Sequence, residues 1–188
     1  IYSPEGATNG DVTVTITSNE KVQEVNGWTL SADKLTLTKE YSQNATENIE
    51  VKDLVGNVTT KEIKVTNIDT TGARINSIKV ISPNAGTYKS GQVITIETEY
   101  NENVYGAENK TEITAETAPV LNLKFGTGAK REAVFNSVEG TKITYTYTLQ
   151  TGDNGAISIL SNTGTVYDEI GNERNVTTIA NTGNIVIA

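Results

Sequence analysis

From Asp11 to Thr17 the chain reads DVTVTIT, with Val12, Val14 and Ile16 at every second position and threonines between them. A period of two places the apolar side chains on one face of a pleated strand and the hydroxyls on the other. It therefore predicts a half-buried strand here and excludes an amphipathic helix. The alternation returns at Ile94, Ile96, Thr98 and Tyr100, with Thr95, Glu97 and Glu99 facing away, and again at Ile143, Tyr145, Tyr147 and Leu149. Turn-forming residues separate the runs: Asn26-Gly27, Gly56-Asn57, Gly126 to Gly128, Gly152 to Gly155 and Gly171-Asn172. No window carries a sustained helical period. Strand after strand at short spacing, with Gly, Asn and Asp between, predicts an all-β sandwich.

The chain says several things twice, in the same order. Ser3-Pro4 returns as Ser82-Pro83, NEKV at Asn19 to Val22 returns as NENV at Asn101 to Val104, and DLVGN at Asp53 to Asn57 returns as DEIGN at Asp168 to Asn172. The first two offsets nearly agree, whereas the third is longer, so extra residues enter the second copy between Asn101 and Asp168. Strand faces keep the same register, since Val12, Val14, Ile16 and Ser18 align with Ile94, Ile96, Thr98 and Tyr100. Duplication accounts for this pattern. The expected organisation is two β-sandwich domains in tandem, residues 1–70 and 71–188, the second larger by an insertion, with the boundary in DTTGAR, Asp69 to Arg74. The least decided part is 111–140, which reads equally as an added hairpin or as a mobile loop.

Composition removes whole classes of function. The 188 residues include no Cys and no His, which removes thiol nucleophiles, the usual general base and the common zinc ligand sets. A net charge of -8 argues against nucleic acid or an anionic membrane as partner, because no basic patch releases phosphate counterions. No run approaches the roughly 20 apolar residues of a membrane-spanning helix, so no membrane insertion is expected in this segment. The absence of Met, with Ile1 at the start, fits an interior piece of a longer protein.

On YSP, NGDVTVTITSNEKV and IEVKDLVGNVTTKEIKVTNIDTT in the first copy, the chain resembles the bacterial immunoglobulin-like (Big-type) repeats found in tandem on Gram-positive surface and cell-wall proteins. The second copy is similar to a longer variety of these repeats through GTYKSGQVITIETEYNENV, LNLKFGTG, ITYTYTLQTGDNG and DEIGN. The family usually carries Pro shortly after the Asp-Thr-Thr linker, where this chain has Gly72-Ala73. The resemblance implies two immunoglobulin-like β-sandwiches in an extracellular setting, at a bacterial cell surface or cell wall or in a secreted protein. It implies a spacer or adhesion module whose partners are neighbouring domains of the parent protein, a host protein or a glycan. A monomer is expected.

Each candidate site has two readings. The D-x-x-G-N motif suggests an oxygen-rich calcium site, and the N-E-x-V motif, joined by Asp69 of the linker, suggests one near a domain junction, so Glu20, Asp69, Glu102 and Asp168 are the candidate ligands. Its structural reading is that Asp53 and Asp168 accept backbone N-H groups in a turn while Gly56 and Gly171 supply positive φ. That reading is favoured, and no cofactor is expected. Trp28, the only Trp, is either a platform for a sugar ring or a core aromatic, and the core reading is favoured because one aromatic makes no platform. Lys79 with Asn181 or Asn184 are conceivable partners in a self-formed isopeptide bond, set against plain solvent exposure. Catalysis by paired carboxylates needs a cleft, and nothing in the sequence marks one, so no enzyme is expected. The second reading of function is a ligand-binding accessory module, for a glycan or host protein, beside a secreted carbohydrate-active enzyme.

Overall fold

The computed structural model describes residues 1–83 and 86–176, and the backbone of 185–187. Contacts divide the chain into two compact units, Ile1–Thr70 and Thr71–Ala188. Among the described residues every regular element is a strand.

In the first unit β1 (Tyr2–Ser3), β2 (Val12–Thr17), β3 (Thr29–Leu30) and β4 (Thr36–Tyr41) form one antiparallel sheet in the order β1-β2-β4-β3. A second layer is the hairpin of β5 (Ala45–Lys52) and β6 (Val58–Val65), paired over its whole length. The alternation of β2 sets its inner face: Val12 and Val14 are completely or almost completely buried and meet Leu37, Ile49, Ile63 and Val65. Each buried Val, Leu or Ile contributes roughly 1.5–3 kcal/mol, and truncating Leu37 or Ile63 to Ala costs roughly 2–5 kcal/mol. The first strand ends at the cis Ser3-Pro4 bond, and Thr8 then makes a parallel bridge to Ile68, so the chain crosses from one layer to the other.

The second unit uses the same plan with longer strands: β7 (Ile75–Ser82), β8 (Gly86–Tyr88), β9 (Val93–Tyr100), β10 (Val120–Phe125), β11 (Lys130–Glu139), β12 (Lys142–Thr148), β13 (Gly155–Thr163), β14 (Thr165–Tyr167), β15 (Glu173–Asn175) and β16 (Ile185–Ile187). Strands β7-β9-β12 repeat β1-β2-β4, and the cis Ser82-Pro83 bond again lies where the first strand gives way to a segment, β8, that runs parallel to the last. The inserted region, 111–140, supplies β10 and β11. It also carries Ile113, only 3% exposed, which anchors the preceding loop in the core. Because β10 pairs with β11 on one side and β13 on the other, eight strands form one continuous sheet, in the order β7-β9-β12-β11-β10-β13-β16-β8. Gly164 separates β13 from β14. At φ 148°, with a Cβ there falling 2.8 Å from Pro119 Cα, only glycine fits. The core is Ile78, Ile94, Ile96, Tyr100, Leu121, Leu123, Phe125, Ile143, Tyr145 and Leu149 with their neighbours.

Candidate functional site

The repeated motifs meet within each unit. In the first, the strand-ending Asn19-Glu20 turn returns to the core at Val22, which is 3% exposed and bridges Asp53 at the start of the D-x-x-G-N turn. Gln23 Nε2 donates to the Asp53 carbonyl at 2.7 Å, tying the turns together. In the second unit Val104 is buried likewise, and Tyr105 bridges Tyr167, the residue before Asp168.

The two D-x-x-G-N turns have one geometry. Asp53 Oδ1 accepts the N-H groups of Val55 at 2.9 Å and Asn57 at 2.8 Å, and Oδ2 accepts the Asn57 side-chain amide at 2.5 Å. For Asp168 the donors are Ile170 N at 2.9 Å, Asn172 N at 2.9 Å and Asn172 Nδ2 at 2.8 Å. Gly56 at φ 98° and Gly171 at φ 89° turn the chain where a Cβ would be strained. Burial pushes the Asp53 carboxyl up, but the Asn57 side chain and the N-H groups of Asn57, Val55 and Gly56 together hold it below the usual carboxylate value.

Of the calcium candidates, Glu102 and Asp168 lie together in the second unit, with carboxylate oxygens within 4.8 Å of each other. Calcium takes six to eight oxygens, whereas both oxygens of Asp168 already accept turn hydrogen bonds. Glu20 lines a groove of about 450 Å³ in the first unit with Asp53, Asn57, Ile16, Val22 and Lys61. Asp69 follows the last strand of that unit, where its N-H donates to Thr8 O at 2.8 Å.

Trp28 is 8% exposed and packs edge-on against Tyr41, ring centroids 6.5 Å apart. Lys39 Nζ lies 4.8 Å from the Tyr41 ring centroid and 5.9 Å from that of Trp28, within cation-π range. The same ammonium meets Glu47 Oε1 at 2.7 Å, and the Tyr41 hydroxyl donates to that oxygen. Burial, and then the Glu47 hydrogen bond, push the Tyr41 phenol up. The Lys39 and Tyr41 hydrogen bonds hold the Glu47 carboxyl down.

Sequence reading missed that network and a second one in the other unit. Asp153, 6% exposed, receives Arg131 Nε at 2.8 Å, the Tyr147 hydroxyl at 2.7 Å and the Gln150 N-H at 2.9 Å. Burial and the Asp153 bond push the Tyr147 phenol up to about 12. Asp153 sits in a Gly-rich turn, a signal that marks the turn but not the arginine of β11 that reaches it. Lys79 stands on the outer face at 45% side-chain exposure, 3.5 Å from Glu97 and 3.9 Å from Glu99, while Asn181 and Asn184 lie outside the described residues. No helix of the described residues is long and apolar enough to cross a membrane.

No protein-family model matches the chain, and no curated protein matches it. Several solved structures align with most or all of the chain at low identity and low TM-score. They include the Dpr2 Ig1-Ig2 complex with DIP-Theta Ig1-Ig3, at 10% identity over 100% of this chain and 98% of that one, TM-score 0.26. The D0-D1 domain of intimin follows at 14% identity, with 95% of each chain covered and TM-score 0.25. A Bacteroides ovatus glucan-utilisation protein, SGBP-B, solved with a mixed-linkage heptasaccharide, aligns at 17% identity over 97% of this chain and 42% of that one, TM-score 0.25. The two paired layers are those of an all-β, immunoglobulin-like sandwich. At these TM-scores the likenesses carry no argument about ligand or partner.

Proposed function

We propose that the chain is a non-enzymatic structural and interaction segment, a spacer or adhesion module, of a bacterial cell-surface or secreted protein of the Big-type repeat kind. One observation carries the spacer reading: every Trp, Tyr and Phe side chain is buried or half-buried. Sugar-binding faces commonly rely on an open aromatic plane, and here all the rings except the half-buried Tyr105 and Tyr167 pack in or against the two cores instead. The acids that recur in both units support the same reading, because Asp53 and Asp168 close turns rather than face a reactant.

The test is a glycan array probed with the fluorescently labelled 188-residue chain, alongside hydrolysis assays on polysaccharides. Neither retention nor hydrolysis is expected. Retention on one class of glycan would move the function to a ligand-binding accessory module, and hydrolysis would overturn both readings.

A further inference from the structure

One edge of β5 is bonded to β6, and the other is open from Thr46 to Glu50. The Lys52 carbonyl faces the open side, since it accepts the Gln23 N-H at 2.8 Å. Backbone groups of an antiparallel strand alternate between its two edges, so Thr46, Asn48 and Glu50 aim their N-H and C=O groups along that side too. These three residues are exposed, and among the described residues no backbone hydrogen bond reaches their outward groups. The comparable strand of the second unit, β13, has β10 along this edge.

We propose that the open edge pairs antiparallel with the same edge of a second copy of the chain, about a two-fold axis at Asn48. The occupant follows from charge and register. Centred on Asn48, the pairing sets Thr46 opposite the partner's Glu50, Asn48 opposite the partner's Asn48, and Glu50 opposite the partner's Thr46, with no like charges opposed. Centring on Glu47 or on Glu50 sets a carboxylate against its own copy, which is destabilising. Centring on Ile49 draws in Lys52, whose carbonyl already serves Gln23. An inward-pointing charge commonly blunts an edge strand. The inward charge here, Glu47, is neutralised within its own unit by Lys39 at 2.7 Å and by Tyr41, so pairing buries no bare carboxylate. A single strand pair is a small interface, which predicts a weak, concentration-dependent dimer that many chains on one surface would reinforce. This pairing goes beyond the spacer reading and does not depend on it.

Sedimentation of the 188-residue chain over a concentration series tests the pairing, with Thr46→Lys, Thr46→Glu and Asn48→Pro variants. Two copies of the Thr46–Glu50 contact form, so Thr46→Lys should tighten the dimer by about two- to thirtyfold and Thr46→Glu weaken it similarly. Asn48→Pro removes an outward N-H, leaves the β5–β6 ladder intact and should abolish the dimer. Within the unit Thr46 pairs with Lys64. Thermal stability should therefore move the opposite way, up for Thr46→Glu and down for Thr46→Lys, which separates pairing from a folding effect. A chain that stays monomeric to about 1 mM, with Thr46→Lys no different, overturns the proposal. So does a dimer indifferent to charge at residue 46 and to proline at 48.

Discussion

Asn57 closes the turn that Asp53 opens, its side-chain amide donating at 2.5 Å and its backbone N-H at 2.8 Å to the two oxygens of one carboxylate. Asn172 and Asp168 do the same at 2.8 and 2.9 Å. In both units three of the carboxylate's roughly four acceptor sites are taken by donors of its own turn, so the motif has a structural use that needs no ligand.

Asp168→Ala should therefore destabilise the second unit by about 2–4 kcal/mol, because three donors lose a charged acceptor at a position 1% exposed. Urea unfolding checks this. A loss under about 0.5 kcal/mol would show that the turn closes without its carboxylate.

Acid should weaken the first unit. Asp53 is held down by its turn donors against burial, and Glu47 by Lys39 and then Tyr41. A folded-state value below the unfolded one gives stability that is present above the unfolded pKa and is lost as pH falls through the folded one. The window lies below about pH 4. Melting between pH 7 and pH 2 should show the fall there, and Asp53→Asn should make the curve shallower. A flat curve in the unaltered chain would contradict this.

Tyr147→Phe keeps the ring stacked on Phe125, with centroids 5.4 Å apart, and removes one donor to the nearly buried Asp153. The expected loss is about 1–2 kcal/mol, read by chemical denaturation. An unchanged midpoint would mean that Arg131 and Gln150 alone satisfy the carboxylate.

Calcium should leave thermal stability unchanged relative to chelator, since an ion that binds only the native state would raise the midpoint. A calcium-dependent rise would return Glu20, Asp69, Glu102 and Asp168 to consideration as ligands, and charge-neutralising substitutions would then tell them apart.

Trp28 reports on the first unit alone. At 8% exposure its emission should be blue-shifted and poorly quenched by acrylamide until that unit unfolds. Ready quenching in the native state would expose the ring and favour the glycan-binding reading.

Much of this was local enough to read in advance. The alternation of Val12, Val14 and Ile16, and of Ile94 and Ile96, dictates which face of each strand is buried, because side chains on a strand alternate whatever its neighbours are. The D-x-x-G-N turns were legible for a similar reason: a short polar side chain bonding its own backbone and a glycine at positive φ are properties of five consecutive residues. Pairing was not local. That β10 would join β11 to β13 and make one continuous sheet, while β5 keeps an open edge, depends on contacts between residues far apart in the chain. Nor does any period in the sequence link Arg131 to Asp153, or Lys39 to Glu47. Their attraction becomes directed only when strand register, set by the packed cores, holds both groups at one place. The sequence alone determined strands, faces and turns through steric rules of neighbouring residues. The tertiary structure decided which edges are filled and which charges meet, because those outcomes follow from long-range burial.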